Sequence, residues 1–298
     1  MRQTSLTALV IAAALGACNG SQSDAPGESP AQAETRPASE TRPADPATPE
    51  AGKQAESPPP VRAERAEDAT PDPVELRNVA RDGTAATVSV TYDPAIEGFD
   101  PHLARRIMKA SEEALQEFEA EAEALGAGQG GSSPAHFLDI SWHATWRGET
   151  VISLLREVSY YTGGAHPNAS LSTLIWDREA GQQIGAGDLF AGEEAAYDAL
   201  LGPLRARLVE ARGERLEMGG LSTDELRGDV EEAVSREAGS LDRLAISSGE
   251  NGAANGITVY FPPYEVAPYA EGSYVIDLPA DLFEDALVPP YSAIFTPG

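Results

Sequence analysis

FLDISWHATWRGETVISLLREVSYYTGGAHPNASLSTLIWDREAGQQI, residues 137–184, decides the fold. Leu138, Ile140, Trp142 and Ala144 alternate with Asp139, Ser141 and His143. That period of two puts successive side chains on opposite faces of a strand. The turn Arg147-Gly148-Glu149 leads into a second run, Val151 to Tyr161. Beyond a glycine-containing loop, Leu171 to Trp176 repeats the pattern, and Asp177-Arg178-Glu179-Ala180-Gly181 turns the chain into Gln182 to Ile184. Short turns between such runs join antiparallel neighbours, so the stretch predicts an antiparallel meander.

Working outward, Val74 to Val79 and Ala86 to Tyr92 also alternate, and Asp82-Gly83 between them predicts a hairpin. Asp100-Pro101 then opens a helix, with aspartate at the N-cap and proline in the first turn. Leu103, Ile107, Ala114, Leu115, Phe118 and Leu125 fall on one stripe, and the helix is expected to stop at Gly126. On the C-terminal side, Tyr197, Leu200, Leu201, Leu204 and Leu208 recur at helical spacing within Glu193 to Arg212. Gly202-Pro203 is expected to kink that helix or restart it. Ser222-Thr223-Asp224-Glu225 is a capping box for a helix with Leu226, Val230, Ala233 and Val234 inward. Ile257 to Phe261 and Tyr274 to Leu278 close the chain as strands. The expected class is α+β, an antiparallel sheet of meander strands with packed helices.

The N-terminal residues differ in kind. Arg2 precedes an apolar run from Leu6 to Leu15, followed by Gly16-Ala17-Cys18, the pattern of a secretory leader. Residues 1–17 read as a lipoprotein signal peptide and Cys18, the one cysteine, as the lipidated residue. Asn19 after it leans toward the outer membrane. Residues 19–73 hold 11 of the 23 prolines and almost no large apolar side chain, so they are expected to form a disordered tether. The chain carries a net −27, of which −22 falls on residues 74–298. That charge disfavours nucleic acid and anionic lipid; it reads either as simple solubility in a salty habitat, the reading that charge alone favours, or as a field that steers cationic partners toward the folded part.

Two segments stand out from their surroundings. One is the loop after the second strand, with Tyr160, Tyr161, Thr162, Gly163, Gly164 and His166. The other is Phe261-Pro262-Pro263-Tyr264-Glu265-Val266-Ala267-Pro268-Tyr269, which proline keeps out of a central ladder. The loop reads either as a structural turn, with His166 hydrogen-bonded to a strand end, or as part of a recognition surface with Tyr264 and Tyr269. A catalytic alternative would use His166 with Thr162, Ser170 or Ser172 and an acid such as Asp177, although no G-x-S-x-G elbow is present. The histidines His102, His136, His143 and His166 form no H-E-x-x-H. His136 and His143, seven apart, would face opposite ways on one strand. No metal or cofactor is expected.

Three stretches carry a family resemblance: VSVTYDPAIEG (88–98), YYTGGAHPNASLSTLIWDREAGQQIGAGDLF (160–190) and ITVYFPPYEVAPYAEGSYVIDLP (257–279). Together they resemble a two-part extracytoplasmic module of bacterial envelopes. That module is similar to the external domain of lysozyme-sensing anti-sigma factors and to the domain preceding the catalytic part of membrane-anchored peptidoglycan deacetylases. The resemblance implies residues 74–190 as its N-terminal part, deacetylase-associated in type, and residues 191–298 as its C-terminal part, of anti-sigma ectodomain type. It further implies a lipid-anchored binding or sensing protein, with a cationic lysozyme-like protein or peptidoglycan as partner. The deacetylase metal motif and the sigma-binding segment are absent, and Glu265 is the expected acidic partner of His166. An enzyme or accessory acting on peptidoglycan through His166 is the competing expectation.

Overall fold

The computed structural model describes residues 73–127, 136–216, 221–249 and 252–295. Cys18, the leader and the proline-rich stretch lie outside the described residues. A six-stranded sheet runs in the order β1 (Val79–Asp82), β2 (Ala86–Tyr92), β3 (His136–Arg147), β4 (Val151–Tyr161), β5 (Asn168–Asp177), β6 (Gln182–Ile184). The class is α+β, as the residue pattern predicts.

The meander β3-β4-β5-β6 is antiparallel throughout. β2 and β3 pair in parallel, with Val88 opposite Leu138 and Val90 opposite Ile140. The long helix α1 (Pro101–Ala127) lies between them in sequence, and a parallel pair needs such a crossover. β1 starts later than the alternation from Val74 suggests. Asn78 Oδ1 accepts the Tyr92 N–H at 2.9 Å, so a side chain takes the position where the ladder would continue.

Asp100 caps α1 as expected, accepting from the His102 N–H at 2.6 Å. Leu103, Ile107, Leu115, Phe118 and Ala122 are buried against one sheet face, while Leu125 is out of the stripe and exposed. Two indoles fix the crossing. Trp142 Nε1 donates to Ser111 Oγ at 3.0 Å and Trp176 Nε1 to Asp100 Oδ2 at 2.8 Å.

The other face is covered over one end only. Val151 to Leu155 are all buried, whereas from Arg156 onward β4 is alternately shielded and open. The cover is a second sheet, β7 (Leu244–Ser248), β8 (Ala254–Phe261) and β9 (Tyr274–Pro279), antiparallel in that order. Its β7 backbone reaches the first sheet through Ile246 N–H to Ser153 Oγ at 2.9 Å. The bulge at Thr145 presents a carbonyl to Ser248 Oγ at 2.8 Å.

A short helical turn α2 (Ala186–Leu189) precedes α3 (Glu193–Arg215) and α4 (Thr223–Ala233). Leu200, Leu204 and Leu208 are fully buried with Trp146, Val151, Ile175, Leu244, Val259 and Ile276 in one core that crosses residue 190. That buried stripe lies on both sides of Pro203, and α3 runs unbroken through it rather than restarting. Ser222 and Glu225 close the expected capping box on α4. No helix among the described residues is long and apolar enough to cross a membrane.

Candidate functional site

The two segments singled out in the sequence meet. Gly163 and Gly164, at φ 102° and 114°, reverse the chain after β4 in a region closed to other residues. Tyr161 Oη donates to the Gly164 carbonyl at 2.9 Å and closes the loop. His166 emerges from it and stacks on Tyr269, with centroids 4.1 Å apart and planes 18° apart. Tyr269 Oη donates to the Pro167 carbonyl at 3.3 Å, and Tyr264 lies 5.3 Å from Tyr269. Three rings drawn from residues a hundred positions apart form one cluster at the surface.

Tyr264 is the prominent member. It is 66 % exposed and adopts φ 73°, the one non-glycine with a left-handed backbone among the described residues. For a bulky side chain that conformation costs on the order of 1–2 kcal/mol, and such strain gathers at working surfaces. Tyr264→Gly is therefore expected to raise stability slightly, by up to about 1 kcal/mol, as read from urea midpoints. A loss of more than that amount would show that the ring packs rather than presents.

The segment carrying these tyrosines is pinned from below. Arg212, 2 % exposed, reaches Glu271 through Nε and Nη2 at 3.1 Å each and Asp229 through Nη1 at 3.4 Å. Tyr274 Oη donates to Glu271 at 2.6 Å, and Arg215 donates to the Glu271 and Ser273 carbonyls. Glu271 is two residues from Tyr269, so α3 sets the height of the aromatic cluster.

Glu265 is not the partner of His166. Its carboxylate pairs with Arg243, whose Nε also donates to the Tyr260 carbonyl at 3.1 Å. His166 Nδ1 instead lies 2.9 Å from the Pro167 carbonyl. Burial raises the Glu265 carboxyl, the charge of Asp242 adds to this, and Arg243 opposes it. The neighbouring arginine claims the acid because β7 brings Arg243 alongside, and β7 was not anticipated: LAISS has too short an apolar run to announce a strand.

The hydrolase arrangement is not assembled. Asp177 lies nine positions beyond Asn168 along extended β5, roughly 30 Å. There its carboxylate binds the Glu179 and Ala180 N–H groups and Tyr291 Oη. Ser170 and Ser172 face α1, opposite Val158 and Arg156. Tyr160 points the same way, away from Tyr161, as alternation requires; Thr162 completes the loop. His136 is buried and His143 exposed on opposite faces of β3, and no group of three metal-ligating side chains occurs among the described residues.

The uncovered sheet face adds residues that the loops alone did not suggest. Across it run Ser89 Oγ to Asp139 at 2.6 Å, Thr91 to Ser141 at 3.0 Å, and His143 Nε2 to Glu157 at 3.0 Å. Phe137 stacks on Tyr161 at 6.1 Å. Tyr260 of the second sheet is pushed up to about 12 by burial, then by the charges of Asp277 and Glu157. The Thr173 hydroxyl, opposite Leu155 on that face, donates to the Asp242 carbonyl just before β7 at 3.4 Å, so the second sheet borders the open part of the first. The alternation of Asp139, Ser141 and His143 was the signal for this surface.

A sequence profile described as "Protein of unknown function (DUF3298)" matches residues 229–281. That span includes Tyr264, Glu265, Tyr269 and Glu271. The solved structures similar to this chain include two of that description. A DUF3298 family member from Bacteroides fragilis shares 18% identity over 74% of this chain and 96% of its own, with a TM-score of 0.48. A DUF3298 family protein from Pseudomonas aeruginosa shares 18% identity over 76% and 98%, with a TM-score of 0.47. No curated protein matches the chain.

Proposed function

We propose that this protein is a non-catalytic recognition module that binds a cationic protein at the aromatic cluster and the open sheet face beside it. One observation carries the reading. The stacked His166, Tyr269 and Tyr264 adjoin a sheet face bearing Asp139 and Glu157, on a chain of net charge −27. Aromatic rings accept arginine and lysine by cation–π contact, and an anionic surface speeds and orients the approach of a basic partner. The ring of His166 is covered by Tyr269 and its Nδ1 is held at a carbonyl, which suits a packing role better than a general base.

The leader and Cys18 place the module, in this reading, on a lipid anchor in the cell envelope, at the outer membrane facing the periplasm or the surface. The proline-rich stretch serves as the tether. The likeness to lysozyme-sensing ectodomains and deacetylase-associated domains favours a lysozyme-like basic protein as the partner. Titrating the full chain with lysozyme by calorimetry is the test. Affinity should fall by about tenfold or more between ~20 and ~200 mM salt, and Tyr264→Ala should weaken it by a similar factor. Salt-independent binding, or binding only to insoluble peptidoglycan, would reject the cationic-protein reading.

A further inference from the structure

The open sheet face beside the aromatic cluster is one face of β4. The face toward α1 carries a different set of groups. Arg156 makes no hydrogen bond and no ion pair among the described residues, and its Nε is buried without a partner. The Trp142 ring lies 5.8 Å from its guanidinium carbon, and burial depresses its pKa. Directly opposite on β5 sits Ser172. Ser170 and Asn168 follow at two-residue steps, opposite Val158 and Tyr160. The side chains of Tyr160, Asn168, Ser170 and Ser172 are half-buried, and they too make no hydrogen bond among the described residues.

A buried polar atom such as the Arg156 Nε is ordinarily partnered. Among the described residues no carboxylate pairs with Arg156. A desolvated guanidinium is a pure donor with a planar fork matched to an oxyanion. The hydroxyls and the amide extend away from it for roughly 14 Å, four residues of strand. In so negative a field a singly charged anion is repelled less than a dianion, which favours a carboxylate over a phosphate.

We propose that Arg156, Ser172, Ser170, Asn168 and Tyr160 form a binding shelf for a hydroxylated ligand bearing a carboxylate, of the acidic-sugar class. Arg156 takes the carboxylate and the neutral groups take the hydroxyls. The shelf lies on the opposite face of β4 from that open face and stands or falls separately from the aromatic cluster.

The test is nitrogen-15 NMR of the full chain titrated with D-glucuronate or D-glucose at constant ionic strength. The Arg156 Nε–Hε signal is identified by its loss in Arg156→Lys. Glucuronate should shift that signal and the Ser172 and Asn168 amides saturably, and glucose should not. Arg156→Gln should weaken the response at least about tenfold, the loss of one charge-assisted hydrogen-bonded contact. Ser172→Ala, at a half-buried strand position, should weaken it several-fold with the fold intact. Tyr264→Ala should leave it unchanged. A shift linear in glucuronate, an equal shift with glucose, or an unaltered response in Arg156→Gln overturns the proposal.

Discussion

Arg212→Ala is expected to destabilise the protein by on the order of 3–5 kcal/mol at neutral pH, because it removes one partner of a buried charge pair and leaves the other. The Arg212 side chain is 3% exposed and that of Glu271 11%, so water cannot replace the lost contacts. Burial by itself would raise the Glu271 carboxyl. The hydrogen bonds from Arg212 and Tyr274 and the charges of Arg212 and Arg215 outweigh it and hold that carboxyl below its usual range. A carboxyl depressed on folding adds stability above its unfolded pKa, about 4.3, and that contribution is lost as pH falls through the folded value. Without Arg212 the sign reverses, since burial then dominates and protonation relieves the stranded charge. The stability gap between wild type and variant should therefore narrow as pH falls from 7 toward about 4. Urea unfolding at the two pH values measures it; a constant gap would mean that Glu271 is not the group left uncompensated. The same variant should also weaken binding of the basic protein, because Glu271 anchors the turn that carries Tyr269.

Asp100→Ala should cost about 2–4 kcal/mol, second only to the loss of Arg212. Two losses combine. Oδ1 caps α1 through the His102 N–H, worth about 1 kcal/mol. Oδ2 accepts from the buried Trp176 indole, whose orphaned N–H costs roughly 1–3 kcal/mol more. Asp100→Asn keeps an oxygen for one role but not both, and should retain about half. Denaturant midpoints with tryptophan fluorescence separate the cases. A cost below about 1 kcal/mol for the alanine variant would show that the indole finds water instead.

Local rules carried much of this protein. The alternation of Leu138, Ile140 and Trp142, the turns at Gly148 and Gly181, the Asp100 cap and the Ser222 capping box each depend on neighbours within a few residues, and each is where the pattern puts it. The two segments flagged for their tyrosines and glycines are the ones that come together. Their pairing was misassigned, however: His166 lies against Tyr269, and Glu265 against Arg243. Nothing along the chain distinguishes an acid that will face a histidine from one that will face an arginine, because that depends on which strand arrives beside it.

Tertiary packing decided the remainder for the same reason. Leu244 to Ser248 becomes a strand because β8 and the first sheet supply its partners. α3 passes through Pro203 because the core grips it on both sides, outweighing one missing hydrogen bond. The parallel pairing of β2 with β3 follows from where α1 lies. Periodicity reports which way a side chain points relative to its own backbone, and short-range caps and turns report where an element ends. Which two faces are then buried against each other, and which is left open to bind, depends on contacts between residues a hundred positions apart.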